Sequence, residues 1–286
     1  MIKSVKPLST PREIGDDLPY CWRFGQTWKS AVLCFLCATA GVVRAQTTTL
    51  PNNGQDFTRP LTRFDFRYQF QDKADHVEQS NFILRLEQPI PVSRTWKIAT
   101  RFDMPFVTSN AVNADNPHGR TTFGTGDFLA EAVLVNNLTD RFAYGAGLRT
   151  LFPTATEDQF GSGKYRLLPL AGFRYFLPEI SKGSFIQPIL RYDFDAGGYG
   201  GRSHTSQFQF SPTVNIALPS RWYVTLFPSQ DIVLNEIGRK WFVPADFLVG
   251  RHLDKHTLMS VEISIPIVKE FTLYDFKLEA RISHTF

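Results

Sequence analysis

After residue 37 the sequence contains no cysteine, because Cys21, Cys34 and Cys37 are the whole complement of three. A fold stapled by disulfides is therefore excluded for everything downstream, although exported soluble domains often use them. Long hydrophobic runs are missing too: from residue 46 onward no stretch reaches the roughly 20 apolar residues that a membrane-spanning helix needs. An excess of either charge is likewise absent once the first 45 residues are set aside. The chain has 31 Lys and Arg against 27 Asp and Glu, but six of those bases (Lys3, Lys6, Arg12, Arg23, Lys29, Arg44) and three of the acids (Glu13, Asp16, Asp17) come first, leaving 25 against 24. The slight basicity belongs to the leading segment, and nucleic acid is not an expected partner.

Chemistry-bearing constellations are also scarce. The six histidines, His76, His118, His204, His252, His256 and His284, never stand at metal-ligand spacing from carboxylates, so no metal or cofactor is expected. Asn113, Asp115 and Asn116 are oxygen-rich but lack the order of a calcium loop, and read as turns. Gly161-Ser-Gly-Lys164 imitates the end of a phosphate loop, yet Asp158 stands where its first glycine belongs and no helix follows. Ser162 or Ser203 with His204 or His118 would be the nearest thing to a nucleophile and base, in loops and without a motif, so no enzyme is expected.

What the chain does have is a leader and an alternation. Basic residues up to Lys29, an apolar run over 31–43 and the small-x-small triplet Val43-Arg44-Ala45 form an export signal over residues 1–45, with cleavage expected before Gln46. Residues 46–60 are polar and broken by Pro51, Gly54 and Pro60, which predicts an N-terminal periplasmic arm, disordered in preference to lying in a lumen as a plug.

From residue 61 to 286 apolar and polar residues alternate with the period of two that sends strand side chains to opposite faces. Phe64, Phe66, Tyr68 and Phe70 oppose Arg63, Asp65 and Arg67; Phe82, Leu84 and Leu86 oppose Arg85 and Glu87; Trp96, Ile98 and Phe102 oppose Lys97, Arg101 and Asp103. Phe128, Ala130, Ala132 and Leu134 oppose Asp127 and Glu131, and Tyr144 and Leu148 oppose Gly145, Gly147 and Arg149. Further strands put Arg166 and Arg174, then Arg191 and Asp193, then Asp246, then Glu262 on the polar face. Twelve such strands of about 9 to 13 residues suit tilted crossings of an apolar band of about 25 Å. Short connections after the even strands alternate with mostly longer ones after the odd strands, as in an antiparallel up-and-down transmembrane β-barrel. A soluble sandwich does not put Arg, Lys, Asp and Glu on the core side of every strand.

The last strand is predicted over 272–286. Tyr274, Phe276, Leu278, Ala280, Ile282 and Phe286 share one face, with Asp275, Lys277, Glu279, Arg281 and Ser283 on the other. It resembles the closing strand of bacterial outer-membrane barrels, whose terminal aromatic is an assembly signal. That resemblance implies a role for Phe286, and implies outer-membrane lipid and the barrel-assembly machinery as partners.

Gly124-Thr-Gly-Asp-Phe128, Arg141-Phe-Ala-Tyr-Gly-Ala-Gly147, Pro153-Thr-Ala-Thr156 and Gly161-Ser-Gly-Lys164 together resemble the outer-membrane family labelled "putative MetA-pathway of phenol degradation", whose members are described as transporters. The likeness is specific over residues 124–176. It implies passage of small compounds, hydrophobic or aromatic ones by association, and carries over no site residues.

Inward positions number eleven bases (Arg63, Arg67, Arg85, Arg101, Arg149, Arg166, Arg174, Arg191 and Arg281, with Lys97 and Lys277) and ten acids, including Asp275 and Glu279. This near balance predicts cross-strand ion pairs that stiffen and narrow a pore, with Asp127 paired to Arg149 or Arg166. The leading function is an outer-membrane channel for a small-molecule substrate. A lipid-modifying barrel enzyme and a closed structural barrel stay open as alternatives.

Overall fold

The computed structural model describes residues 52–286 apart from 114–115 and 229–230. The export signal, its cleavage site and the start of the arm lie outside the described residues.

Alternation along the chain becomes one antiparallel sheet of fourteen segments. These are β1 (Arg63–Lys73), β2 (Val77–Pro91), β3 (Trp96–Ser109), β4 (Thr122–Thr125), β5 (Phe128–Asn137), β6 (Phe142–Phe152) and β7 (Lys164–Phe176). Then follow β8 (Phe185–Gly198), β9 (Ser206–Ala217), β10 (Trp222–Leu226), β11 (Ile232–Asn235), β12 (Lys240–His252), β13 (Thr257–Lys269) and β14 (Phe276–Thr285). β4 and β5 lie end to end along β3, and β10 and β11 lie end to end between β9 and β12, so the fourteen segments make twelve staves. β1 pairs β14 over ten positions and closes the barrel, leaving no sheet edge to be satisfied by lipid.

Register settles which face is which. Phe66 aligns with Leu84 and Ile282, and all three point away from the lumen, while Asp65 aligns with Arg85 and Ser283, which point into it. The outer face is an apolar belt: Leu86, Leu134, Leu148, Leu190, Ile263 and Ile282 are each more than 40% exposed. A belt running round every stave has no aqueous explanation, because soluble monomers rarely expose contiguous apolar patches above a few hundred Å². Aromatic rings gather at both rims. Trp96, Phe142, Tyr144 and Phe173 contact one another beside the short turns, and Phe102, Phe128, Phe152 and Tyr165 do so beside the long loops. Two girdles flanking an apolar band are the signature of a barrel seated in a bilayer.

Four local departures from the expected strands have physical causes. The fourth stave breaks at Gly126-Asp127, where Gly126 N donates to Pro105 O at 2.9 Å and re-aims the aspartate. The ninth breaks after Leu226, because Phe227 adopts φ +49° and Pro228 lacks an amide to donate. β1 ends two residues later than expected and β2 begins earlier, so the two are joined by only Ala74–His76, with Asp75 and His76 at positive φ. The last stave begins at Phe276 rather than 272: Tyr274, expected on the lipid face, is 1% exposed and packs with Phe242 and Val233 inside the mouth on the long-loop side.

Candidate functional site in the lumen

The arm enters the barrel. The expectation of a free, disordered tail does not hold for residues 52–60, since their polar groups find partners on the inner wall. Asn53 Nδ2 donates to Asn215 Oδ1 at 2.8 Å, Phe57 N donates to Gln187 Oε1 at 3.1 Å, and Gln187 Nε2 donates to Gln55 O at 2.9 Å. Arg174 donates through Nε to Thr58 Oγ1 at 3.1 Å and stands 3.5 Å from Asp56, while its plane lies 3.8 Å from the Phe176 ring centroid. Phe57 fills an apolar recess formed by Val133, Val135, Leu170 and Ile189. These partners lie toward the short-turn rim, so the arm occupies that end of the lumen.

Gly145 and Gly147 explain how the wall accommodates this. A Cβ at Gly145 would lie 2.9 Å from Phe57 Cε2, and one at Gly147 would lie 2.2 Å from Ala132 O. The first glycine makes room for the arm, and the second lets neighbouring backbones approach closely.

Around the arm and beyond it, the inward charges pair across and along the strands. Arg63 bonds Glu87 at 2.7 Å and touches Asp65 at 3.0 Å, and Arg67 bonds Glu279 at 3.0 Å. Asp103 is shared: Arg85 grips it through two bonds of 2.7 and 2.8 Å, and Arg101 reaches it at 2.6 Å. Glu131 bonds Arg149 at 2.7 Å, Arg166 bonds Asp193, and Lys277 bonds Glu262. Arg281 donates to Ser260 Oγ, Tyr223 Oη and Asn53 O. Asp246 is buried on the same inner face, and Lys97 sits on that face near the turn 92–95. Fixed guanidinium–carboxylate pairs of this kind are costly to break singly, at about 3–5 kcal/mol when fully buried.

Two expected inward residues are elsewhere. Asp127 pairs with neither Arg149 nor Arg166. It accepts the amides of Ala155 (3.3 Å) and Ser162 (2.7 Å) and the Ser162 hydroxyl (2.9 Å), so the break at Gly126 turns it toward the loop 153–163. Asp275 bonds Lys269 at the rim, because the chain turns inward at Tyr274 instead of continuing as strand. Tyr274 itself bonds Ser264 Oγ at 2.7 Å, and burial pushes its phenol up, keeping it neutral.

Sequence reasoning missed Asp231, which bonds Arg191 at 2.7 Å from the segment between β10 and β11, and it missed Asp56, Phe57 and Thr58. The signal available for the arm was an acid and an aromatic adjacent in an otherwise polar stretch. In the loops, Ser162 and His204 bond different groups: the serine faces Asp127, and His204 Nδ1 lies 2.8 Å from Asp195 beside Lys164. Asn113 and Asn116 bond each other, Asn116 N donating to Asn113 Oδ1 at 2.8 Å, while Asp115 lies outside the described residues. At the chain end, Phe286 N donates to Thr62 O at 3.0 Å and its ring meets His284 edge-on.

No protein-family model and no curated protein sequence matches the chain, so the label attached to residues 124–176 gains no support. Solved structures do match. The chain is similar to the COG4313 outer membrane channel from Pseudomonas putida F1, with a TM-score of 0.60 and 14% identity over 86% of this chain and 100% of that one. Weaker similarity reaches the NanC porin (TM-score 0.49, 15% identity, 78% of this chain and 98% of that one) and the outer membrane phospholipase A from Escherichia coli (0.46, 8%, 78% and 90%). At 14% identity the first likeness is one of fold alone: the chain folds as a closed antiparallel β-barrel of twelve strands, the architecture of an outer-membrane channel.

Proposed function

We propose that the protein is an outer-membrane channel whose solute path runs through the charged lumen. The observation that carries this reading is a cavity of about 150 Å³ inside the barrel, bounded by arm residues, Gly54 to Phe57 with Arg59 and Pro60, and by wall residues of both charges. A barrel serving only as a scaffold has no need of a polar chamber, and ion-paired walls suit a narrow, selective path. The fold shared with a protein described as an outer membrane channel supports the same reading. Passage is for small compounds; hydrophobic or aromatic ones are favoured by the family association alone. The arm at one end and the Phe242–Tyr274 cluster at the other also favour a second reading, a barrel that rests closed.

Planar-bilayer recording of the full barrel and of a variant lacking residues 52–60 separates the two. Conductance that rises when the arm is removed supports a gated channel. Absence of conductance from both supports the closed barrel.

A further inference from the structure

The lumenal cavity has a lining of two unlike kinds, met at successive inward positions of the same strands: Arg101 follows Ala99 in β3 and Arg191 follows Ile189 in β8. Its charged level holds Arg67, Arg85, Arg101, Arg149 and Arg191, with Arg59 reaching in from the arm. Its apolar level, one step nearer the short turns, holds Val133, Leu170, Ile189, Ala99 and the Phe57 ring. Three carboxylates, Asp56, Glu87 and Glu131, share the lining with those six guanidiniums. The acids that complete the near balance of charge stand apart from it: Asp103, Glu279 and Asp231 bond arginines but do not line the cavity. The lining therefore presents more guanidiniums than carboxylates to a solute, although the wall arginines are ion-paired.

The guanidiniums also keep donors in reserve. Arg149 gives its Nε to Glu131 and Arg191 gives its Nη1 to Asp231, whereas Arg191 Nε is buried with no hydrogen-bond partner. Each guanidinium has five N–H donors, in a fork that fits a carboxylate bidentately. A ligand satisfying both levels carries one carboxylate for the arginines and a compact apolar body for Val133, Leu170 and Ile189, and such pairing of few polar anchors with apolar lining is how small-molecule sites are usually built.

We infer that the lumen holds a binding site for a small organic monoanion with a ring-sized apolar body, and that the arginine level of the chamber makes charge a requirement. The inference deepens the channel reading by naming the class of solute, but binding at equilibrium tests it without requiring any passage.

The full barrel, refolded in detergent, is titrated calorimetrically with benzoate, with benzyl alcohol as an uncharged ring of similar size, and with acetate as a charge without the ring. Saturable one-site binding of benzoate, weaker by about tenfold or more for either control, is expected if one charged hydrogen-bond set and one apolar level each contribute. Arg101→Gln is the variant of choice because Asp103 keeps Arg85 as a partner. It should weaken benzoate by a similar factor while leaving benzyl alcohol unchanged. Ile189→Thr should weaken benzoate and spare acetate. Equal affinity for benzoate and benzyl alcohol in the unaltered protein overturns the inference whatever the variants do, as does unaltered benzoate binding by folded, heat-modifiable Arg101→Gln. Conductance without selective benzoate binding leaves the channel reading standing and this inference refuted; benzoate binding without conductance does the reverse.

Discussion

Phe57 and Gly145 fit each other: a methyl group on the glycine would stand 2.9 Å from the phenyl edge, nearer than real Cβ contacts come. The arm and the sixth strand are thus matched in shape across nearly ninety residues of chain. Phe57→Ala should release the arm, because losing a packed ring from an apolar recess costs up to about 3 kcal/mol at a partly buried site. Protease cleavage within residues 52–60 should accelerate while the barrel stays heat-modifiable; an arm equally protected in the variant would mean its hydrogen bonds alone suffice.

Glu131 stands between Arg101 and Arg149 in register and bonds the second. Glu131→Gln should shift the reversal potential of an open barrel toward anions, most clearly at about 0.01 M salt, where the Debye length is about 30 Å. A shift toward cations, or none at low salt, would show that the ion path avoids this wall.

Leu134 belongs to the same strand but faces lipid and is 43% exposed. Leu134→Lys should lower folding stability by about 2–4 kcal/mol near the bilayer midplane and leave selectivity unchanged. Urea titration in vesicles checks the first effect and reversal potentials the second.

Asp127 is the anchor of the loop 153–163 through three accepted hydrogen bonds. Asp127→Ala should free that loop at a cost of about 1.5–3 kcal/mol, the scale of hydrogen bonds to a charged acceptor. Limited proteolysis of the folded barrel should then cut between residues 153 and 163 in the variant before the unaltered protein is touched.

Removing Phe286 deletes the amide that bonds Thr62 O at the closing seam. Slower assembly, measured as the heat-modifiable fraction over time, is expected; an unchanged time course would confine the seam to the β1–β14 ladder upstream.

The amino-acid sequence alone determined the barrel and its two faces. A period of two is a local property, readable wherever Phe64-Asp65-Phe66-Arg67 or Val261-Glu262-Ile263-Ser264 occurs, and inverting it by one residue would put every arginine in lipid. Cross-strand ion pairing followed from the same reading, since charges on neighbouring inner faces must neutralise one another. Only the tertiary structure decided where the arm goes, which acid serves which arginine, and that more guanidiniums than carboxylates line the central cavity. Asp56 and Thr58 reach Arg174 across more than a hundred residues, and Asp231 reaches Arg191 across 40. Tyr274 follows the alternation on paper yet turns inward to Phe242 and Ser264. Alternation assigns a side chain to a face only while the backbone stays extended; at Gly126, Phe227 and residues 270–275 the backbone departs from the strand, and there the direction is set by contacts between segments distant in the chain.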